Sequence, residues 1–113
     1  MNLAESTSFQ APGSHPEIAT VKRTYRTGQP IKVRWKNAPG NRWDWVGIYH
    51  RGANPNVAWY LDWAYTKATV QGHLTLSEAS HGPWPLAPGK YSVYLLVDDS
   101  YKKIAQGTFT IVG

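Results

Sequence analysis

The residues of this sequence best suited to binding chemistry are tryptophans in turn-rich segments, and their chemistry is ring stacking. The chain contains six Trp and seven Tyr but only two Phe. Trp and Tyr combine a large apolar ring with a polar donor, which suits binding surfaces and half-exposed platforms. Trp43 follows the turn "APGN" and the residue Arg42, and Trp84 lies between two prolines in "HGPWPLAPG". Indoles presented in this way can stack on the C–H faces of sugars while polar neighbours bind the hydroxyls.

A second aromatic group lies in "VAWYLDWAY", residues 57–65. Strand alternation places Trp59, Trp63 and Tyr65 on one face, which Leu61 shares. Three aromatic side chains exceed what one face of a small domain usually packs, so some of them are candidates for a binding surface. Partial burial as a packing residue is the alternative for each tryptophan. The predicted ligand-binding residues are Asn41, Arg42, Trp43, Trp59, Tyr60, Asp62, Trp63 and Trp84.

The segment "DWVGIY", residues 44–49, contains a conflict of strand parity. If Val46 and Ile48 point to the core, Trp45 points to the opposite face of the strand. If Trp45 faces the core, Val46 and Ile48 must be covered from outside, and a bulge near the preceding turn would relax the conflict. Asp44 is expected to accept backbone amides of that turn, which is a local structural role rather than an acid–base one.

The titratable residues form no catalytic set. The chain has no cysteine, and its four histidines lie far apart, with no pair at H-x-x-x-H spacing. The G-x-S-x-G signature of a serine nucleophile is also absent from the sequence. Asp98 and Asp99 are adjacent carboxylates, but they are typical of a hairpin turn, and a calcium site would need further oxygen ligands nearby. We therefore expect a non-catalytic protein with no metal or other cofactor.

The charge balance is basic, with a formal net charge of +5 and a sequence pI of about 9.6. Such a balance favours polyanionic partners. However, the twelve Lys and Arg are spread along the chain rather than clustered, so a nucleic-acid partner is not expected. Lys32, Arg34 and Lys36 alternate with apolar residues on one predicted strand and would share its outer face. An anion-binding surface made of these three side chains is therefore one alternative function.

The elements that must position these residues are short strands. Apolar alternation and turn signals from eight Pro and ten Gly divide the chain into about seven segments, with no helical period of useful length. This pattern predicts an all-β fold, specifically an immunoglobulin-like antiparallel β-sandwich of about seven strands. The predicted strands cover residues 17–23, 30–36, 44–50, 58–65, 68–76, 90–98 and 103–112.

The length of 113 residues fits one domain. We expect a flexible N-terminal segment over residues 1–16 and a single sandwich domain over residues 17–113. No apolar run approaches the ~20 residues of a membrane-spanning helix. The first residues lack the basic start and apolar segment of a signal peptide, so any export signal is expected to be removed or never present.

Three stretches of the chain resemble a known class of domains. They are "TY…GQPIKVRWKNAPGNRWDWVGIYHRG", then "W…YT", and then "LAPGKYSVYLLVDDSYKKIAQGTFTIV". Together they resemble the immunoglobulin-like accessory domains of secreted hydrolases, and the likeness covers residues of about 20 to 112. "DWVGIY" and the late "PG-Y-V" strand are similar to the N-terminal β-sandwich of purple acid phosphatases, which are metallophosphoesterases, and to SKICH domains. The metal-binding Asp/His motifs of phosphoesterases are absent from this sequence.

The resemblance implies a structural Trp45, packed like the buried tryptophan of immunoglobulin sandwiches, and it transfers no binding residue. It also implies an extracellular location and a catalytic domain of the same parent chain as a partner. With the aromatic excess, it favours a non-catalytic module that binds a polysaccharide or other glycan. A structural domain that packs against a catalytic domain is the main alternative, and the anion binder is the second.

Overall fold

Strands make up all the regular structure that the computed structural model describes, which covers residues 15–78 and 81–113. The prediction of an all-β fold is confirmed. The predicted flexible segment 1–16 lies outside the described residues except for its last two positions. The strands are Glu17–Thr20 (β1), Thr24–Arg26 (β2), Ile31–Lys36 (β3), Trp45–His50 (β4), Asp62–Tyr65 (β5), Gly72–Leu76 (β6), Gly89–Leu96 (β7) and Lys103–Val112 (β8).

These strands form two sheets that pack together as a sandwich. One sheet has three strands in the order β1-β3-β6, and the other has five strands in the order β2-β8-β7-β4-β5. All neighbouring pairs are antiparallel except β2 and β8, which are parallel. The predicted antiparallel sandwich therefore contains one parallel pair, at the edge of the larger sheet.

The count of eight described strands instead of seven arises at the start of the chain. The predicted strand 17–23 ends at Thr20, and β2 follows in the other sheet. The crossing is held by local hydrogen bonds: the Thr20 hydroxyl donates to the Lys22 carbonyl at 2.6 Å, and the Lys22 amide donates to the Tyr25 hydroxyl at 3.0 Å. The predicted strand is thus three residues too long, and β2 is a separate strand that lies just beyond it.

Two further strands begin later than predicted because turns occupy their first residues. Before β5, the amides of Val57 and Ala58 both donate to the Asn54 carbonyl, at 3.0 and 2.9 Å. Before β6, Lys67 and Ala68 adopt positive φ values of 57° and 60°, which turn the chain away from an extended path.

The main core lies between the two sheets. On β3 the inward residues Ile31, Val33 and Trp35 are buried and the intervening residues are exposed, as the alternation predicts. On β4 the inward residues are Val46 and Ile48. The buried residues of this core are Ile18, Tyr25, Ile31, Val33, Trp35, Ala38, Val46, Ile48, Leu76, Leu86, Tyr91, Val93, Leu95, Phe109 and Ile111.

Candidate functional site

The outer face of the five-stranded sheet has its own aromatic layer. Trp45, Tyr49, Tyr94 and Leu96 are buried there as a second apolar cluster, separate from the core between the sheets. Because Val46 and Ile48 point into the main core, their neighbours on β4 point outward and need cover from elsewhere in the chain. We call this surface the aromatic face. It comprises Trp43, Trp45, Tyr49, Trp59, Tyr60, Trp63, Tyr65, Tyr94, Leu96 and Tyr101.

Trp45 is a packing residue, but it does not face the core between the sheets. Its exposed fraction is 5%, and its indole N–H donates to the Ser100 carbonyl at 3.0 Å. The expected burial is confirmed, whereas the inward orientation implied by the immunoglobulin resemblance is wrong. Strand alternation places Trp45 on the outer face because Val46 and Ile48 face the core. Aromatic side chains from other elements then bury it.

Gly47 allows the rings on β4 to come together. A Cβ atom at this position would lie 2.8 Å from the Tyr49 ring and 2.9 Å from the Trp45 ring. The missing side chain therefore provides the space into which two large neighbours on the same strand face converge.

A row of five rings crosses the aromatic face, in the order Trp43, Tyr65, Trp63, Tyr60 and Trp59. The successive ring centroids lie 5.2, 5.0, 6.4 and 6.0 Å apart, all at steep interplanar angles. Both ends of the row are open to solvent, since Trp43 is 45% exposed and Trp59 is 79% exposed. The structure thus joins three of the four candidate tryptophans on one surface.

Trp84, the fourth candidate, belongs elsewhere. It is partly buried and packs against the core between the sheets, and its peptide bond to Pro85 is cis. Among the described residues, no ring contact joins it to the row. This side chain therefore fits the packing alternative.

The loop before β4 holds Trp43 in place through a buried carboxylate. Asp44 is fully buried, and its Oδ2 accepts the Asn41 amide at 2.9 Å, which confirms the predicted turn-capping role. Its Oδ1 accepts the Asp98 amide at 3.1 Å, and the Trp43 carbonyl accepts the Asp99 amide at 2.8 Å. The loop is therefore fixed to the turn between β7 and β8.

That turn is the hairpin expected at Asp98 and Asp99. Both residues have positive φ values, 55° and 57°, and the Ser100 amide donates to the Val97 carbonyl at 2.9 Å. This geometry is that of a type I′ turn, whose twist matches the flanking strands.

Arg42 is exposed beside the row, with its guanidinium carbon 4.8 Å from the centre of a Trp43 ring. A cation at this distance is attracted to the ring face. Asn41 is half-buried. These two predicted residues therefore border the Trp43 end of the row.

Asp62 is not presented to a surface ligand. It is fully buried, and its Oδ1 accepts three backbone amides, from Trp63 at 2.8 Å, His81 at 3.1 Å and Gly82 at 2.9 Å. This clamp holds the His81 ring against Trp63, with centroids 4.1 Å apart and planes 18° apart. Asp62 therefore supports the row from the inner side of β5.

A cleft opens among the rings of the aromatic face. We call it the aromatic cleft; its volume is about 170 Å³, and it is lined by Trp45, Tyr60, Trp63, Tyr65, Asp99 and Tyr101. Sequence reasoning did not assign Tyr101 or Asp99 to the site. No local pattern distinguishes them, because they reach the cleft from the β7–β8 hairpin.

Tyr49 is buried in the aromatic layer, and its hydroxyl has no hydrogen-bond partner among the described residues. Burial, with smaller contributions from the nearby Tyr101, Tyr60 and Tyr94, raises the pKa of Tyr49 to about 12. The phenol therefore stays neutral over the physiological range, as an apolar layer requires.

The outer face of the three-stranded sheet is different in kind. We call it the basic face; it carries Lys32, Arg34 and Lys36, which alternate outward on β3 and are exposed as predicted. A groove of about 590 Å³ lies along it, lined in part by Arg34, Lys36 and His73. Lys36 forms one ion pair, 3.6 Å from Glu17, and both side chains are more than half exposed.

The described ranges, 15–78 and 81–113, contain no group of three or more His, Asp or Glu side chains arranged to hold a metal ion. They also contain no helix with the length and apolar character needed to cross a bilayer.

The similarity of this chain to known proteins is confined to a short stretch. No known family model matches the chain. A stretch of 41 residues is 44% identical to a phosphatidylethanolamine N-methyltransferase from Laccaria bicolor, which covers 34% of this chain and 4% of that protein. The matched stretch is thus a small part of a far longer relative.

Proposed function

We propose that the protein is a non-catalytic binding module whose aromatic face takes a polysaccharide or other glycan chain. The observation that supports this proposal is the row from Trp43 to Trp59, with an exposed indole at each end. A row with an open indole at each end suits a polymer of sugars, because separate sugar rings of one chain offer apolar C–H faces to the two indoles. An extracellular location would follow from such a ligand.

The polar groups around the row support the same ligand. Arg42 lies at the Trp43 end, and Asn54 and Asn56 lie in the loop that leads to Trp59. A small number of polar groups beside apolar rings is enough to bind the hydroxyls of a sugar, and it leaves the surface compatible with a neutral ligand. The outward side chains of β3 on the basic face, by comparison, are Lys32, Arg34 and Lys36.

A second candidate is an accessory domain that packs its aromatic face against another domain of the same parent chain. The 41-residue match favours it, because the similar stretch forms only 4% of a much longer enzyme. Under this alternative the exposed indoles would be covered in the parent protein, and the isolated chain would bind no glycan.

The test is calorimetry and affinity electrophoresis of the chain against a panel of neutral and acidic polysaccharides. Trp59→Ala and Trp43→Ala should each weaken binding by about tenfold, which corresponds to the loss of about 1.4 kcal/mol per indole. Val21→Ala is the matched control, because Val21 is 53% exposed but lies outside the aromatic face. Trp59→Phe should retain part of the affinity.

Two results would overturn the glycan proposal. One is the absence of binding to every polymer in the panel. The other is binding that Trp43→Ala and Trp59→Ala leave unchanged. Binding that falls steeply with salt and depends on Arg34 would assign the ligand to the basic face instead.

A further inference from the structure

The aromatic cleft has the geometry of a box. The Trp45 ring forms its floor, and the rings of Tyr60, Trp63 and Tyr101 stand at 81°, 88° and 82° to that floor, with centroids 5.7, 6.5 and 6.0 Å away. Three rings that contact one buried indole at steep angles therefore line the cleft, together with Tyr65 and Asp99. This arrangement differs from the two ends of the row, where a single indole is open to solvent.

A carboxylate completes the rim of the box. Asp99 lines the cleft and is exposed, and its Oδ1 accepts the Tyr65 hydroxyl at 3.0 Å. That hydrogen bond raises the pKa of Tyr65 and holds the carboxylate beside the cleft. The site therefore combines aromatic walls with one negative charge.

We propose that the aromatic cleft binds a quaternary ammonium head group of the choline type. Ring faces attract cations, and a trimethylammonium group sheds its weakly held water more readily than a primary ammonium. The Asp99 carboxylate supplies a counter-charge at the rim. A volume of about 170 Å³ is below the ~300–1,000 Å³ of pockets for drug-sized ligands, so it suits one small head group.

This inference is independent of the proposed glycan binding. The box is formed by Trp45, Tyr101 and Asp99 together with the three middle members of the row, whereas the exposed ends of the row, Trp43 and Trp59, do not line it. Loss of choline binding and loss of glycan binding are therefore expected in different variants.

The experiment is a calorimetric titration of the full chain with choline chloride at constant ionic strength, beside two related compounds. One is 3,3-dimethyl-1-butanol, which has the shape of choline but no charge, and the other is ethanolamine, which has the charge but no methyl groups. We expect choline to bind at least about tenfold more tightly than either compound. Equal affinity for choline and its neutral isostere, or no choline binding, would overturn the proposal.

The turn between β7 and β8 offers a matched pair of variants. Asp99→Asn removes the charge at the cleft, and Asp98→Asn removes the same charge one residue away. Both positions have positive φ, which asparagine tolerates well. Choline affinity should fall about fivefold or more in Asp99→Asn and stay within about twofold in Asp98→Asn. Equal losses in the two variants would contradict a specific role of Asp99.

A wall variant tests the rings themselves. Tyr101→Ala should weaken choline binding by about tenfold, and Tyr101→Phe should preserve it, because the ring and not the hydroxyl forms the wall. Tyr101 is 46% exposed, so the fold is expected to survive both changes. Phosphocholine should bind with the same variant profile. A trimethyl-lysine peptide that binds at least about tenfold more tightly than choline would overturn the assignment to choline.

Discussion

The two outer faces of the sandwich follow the same strand alternation but are built for different environments. On the five-stranded sheet, the outward residues Trp45, Tyr49 and Tyr94 are buried at 5%, 0% and 1% exposure under further aromatic side chains. On the three-stranded sheet, the outward residues of β3, such as Arg34, remain in water. One face is thus a second apolar layer, and the other is a solvated surface.

The two faces differ in how the aromatic residues are distributed. The main core consists of aliphatic side chains and a few rings, and Trp45 and Trp63 lie outside it. These indoles instead close a layer whose rim, at Trp43, Trp59 and Tyr101, is open to solvent. Rings fixed by such a layer would lose little conformational entropy if they bound a ligand. The flexible lysines of the basic face would lose more, because binding would have to order them.

The largest expected effect is the loss of the floor of the aromatic face. Trp45→Ala should lower the free energy of unfolding by about 3–5 kcal/mol, the usual cost of deleting a buried large aromatic side chain. Urea unfolding followed by circular dichroism measures the change. Arg34→Ala, the matched outward change on the basic face, should alter stability by no more than about 0.5 kcal/mol. Similar losses in both variants would remove the distinction between the two faces.

A smaller effect concerns pH and the buried phenol of the aromatic layer. The unfolded chain releases the Tyr49 proton near its ordinary pKa of 10.0, but the folded chain holds it to about 12. The stability that this difference supplies is fully present below about pH 10 and is lost as the pH rises through about 12, by on the order of 2 kcal/mol.

The measurement compares urea midpoints at about pH 8 and about pH 11.5 for the natural chain and Tyr49→Phe. The variant should lose less stability over this interval, and at the lower pH it should be at least as stable, because it removes a buried hydroxyl with no partner among the described residues. Identical alkaline losses in the two proteins would show that Tyr49 is solvated.

The smallest effect is expected on the basic face. Glu17→Gln breaks the ion pair with Lys36, whose charged atoms are 3.6 Å apart and well exposed. Unfolding free energy should change by less than about 0.5 kcal/mol, and that change should vanish at high salt. A loss above about 1 kcal/mol, measured by thermal unfolding at low and high salt, would mean that this face is more buried than its exposure indicates.

Much of the fold could be predicted from local pattern. The strict alternation in β3 identifies Ile31, Val33 and Trp35 as buried, because one face of that strand meets the core and the other meets water. The turn at Asp98 and Asp99 could also be predicted, since these residues tolerate positive φ. Short-range sterics and polarity decide both features.

The candidate site was only partly predictable, because its residues come from distant parts of the chain. Trp43 and Trp59 could be proposed from their loop positions, but Asp62 lies on the inner side of the sheet, and Trp84 packs against the core. Strand alternation across 57–65 predicts that Leu61 and Trp63 lie on the same face. Because β5 begins only at Asp62, they do not: Leu61 packs against the main core, whereas Trp63 joins the aromatic face.

Local pattern is enough to predict an all-β chain, the alternation of β3 and the turn-capping role of Asp44, since each depends on neighbours a few residues apart. That Trp45 faces outward and is still buried depends instead on contacts between distant segments. On β4 every residue from Trp45 to Tyr49 is buried, so the apolar pattern does not distinguish the core side from the outer side. The cover for Trp45 comes from Tyr60, Trp63 and Tyr101, and contacts at such separations form only when the sheets assemble.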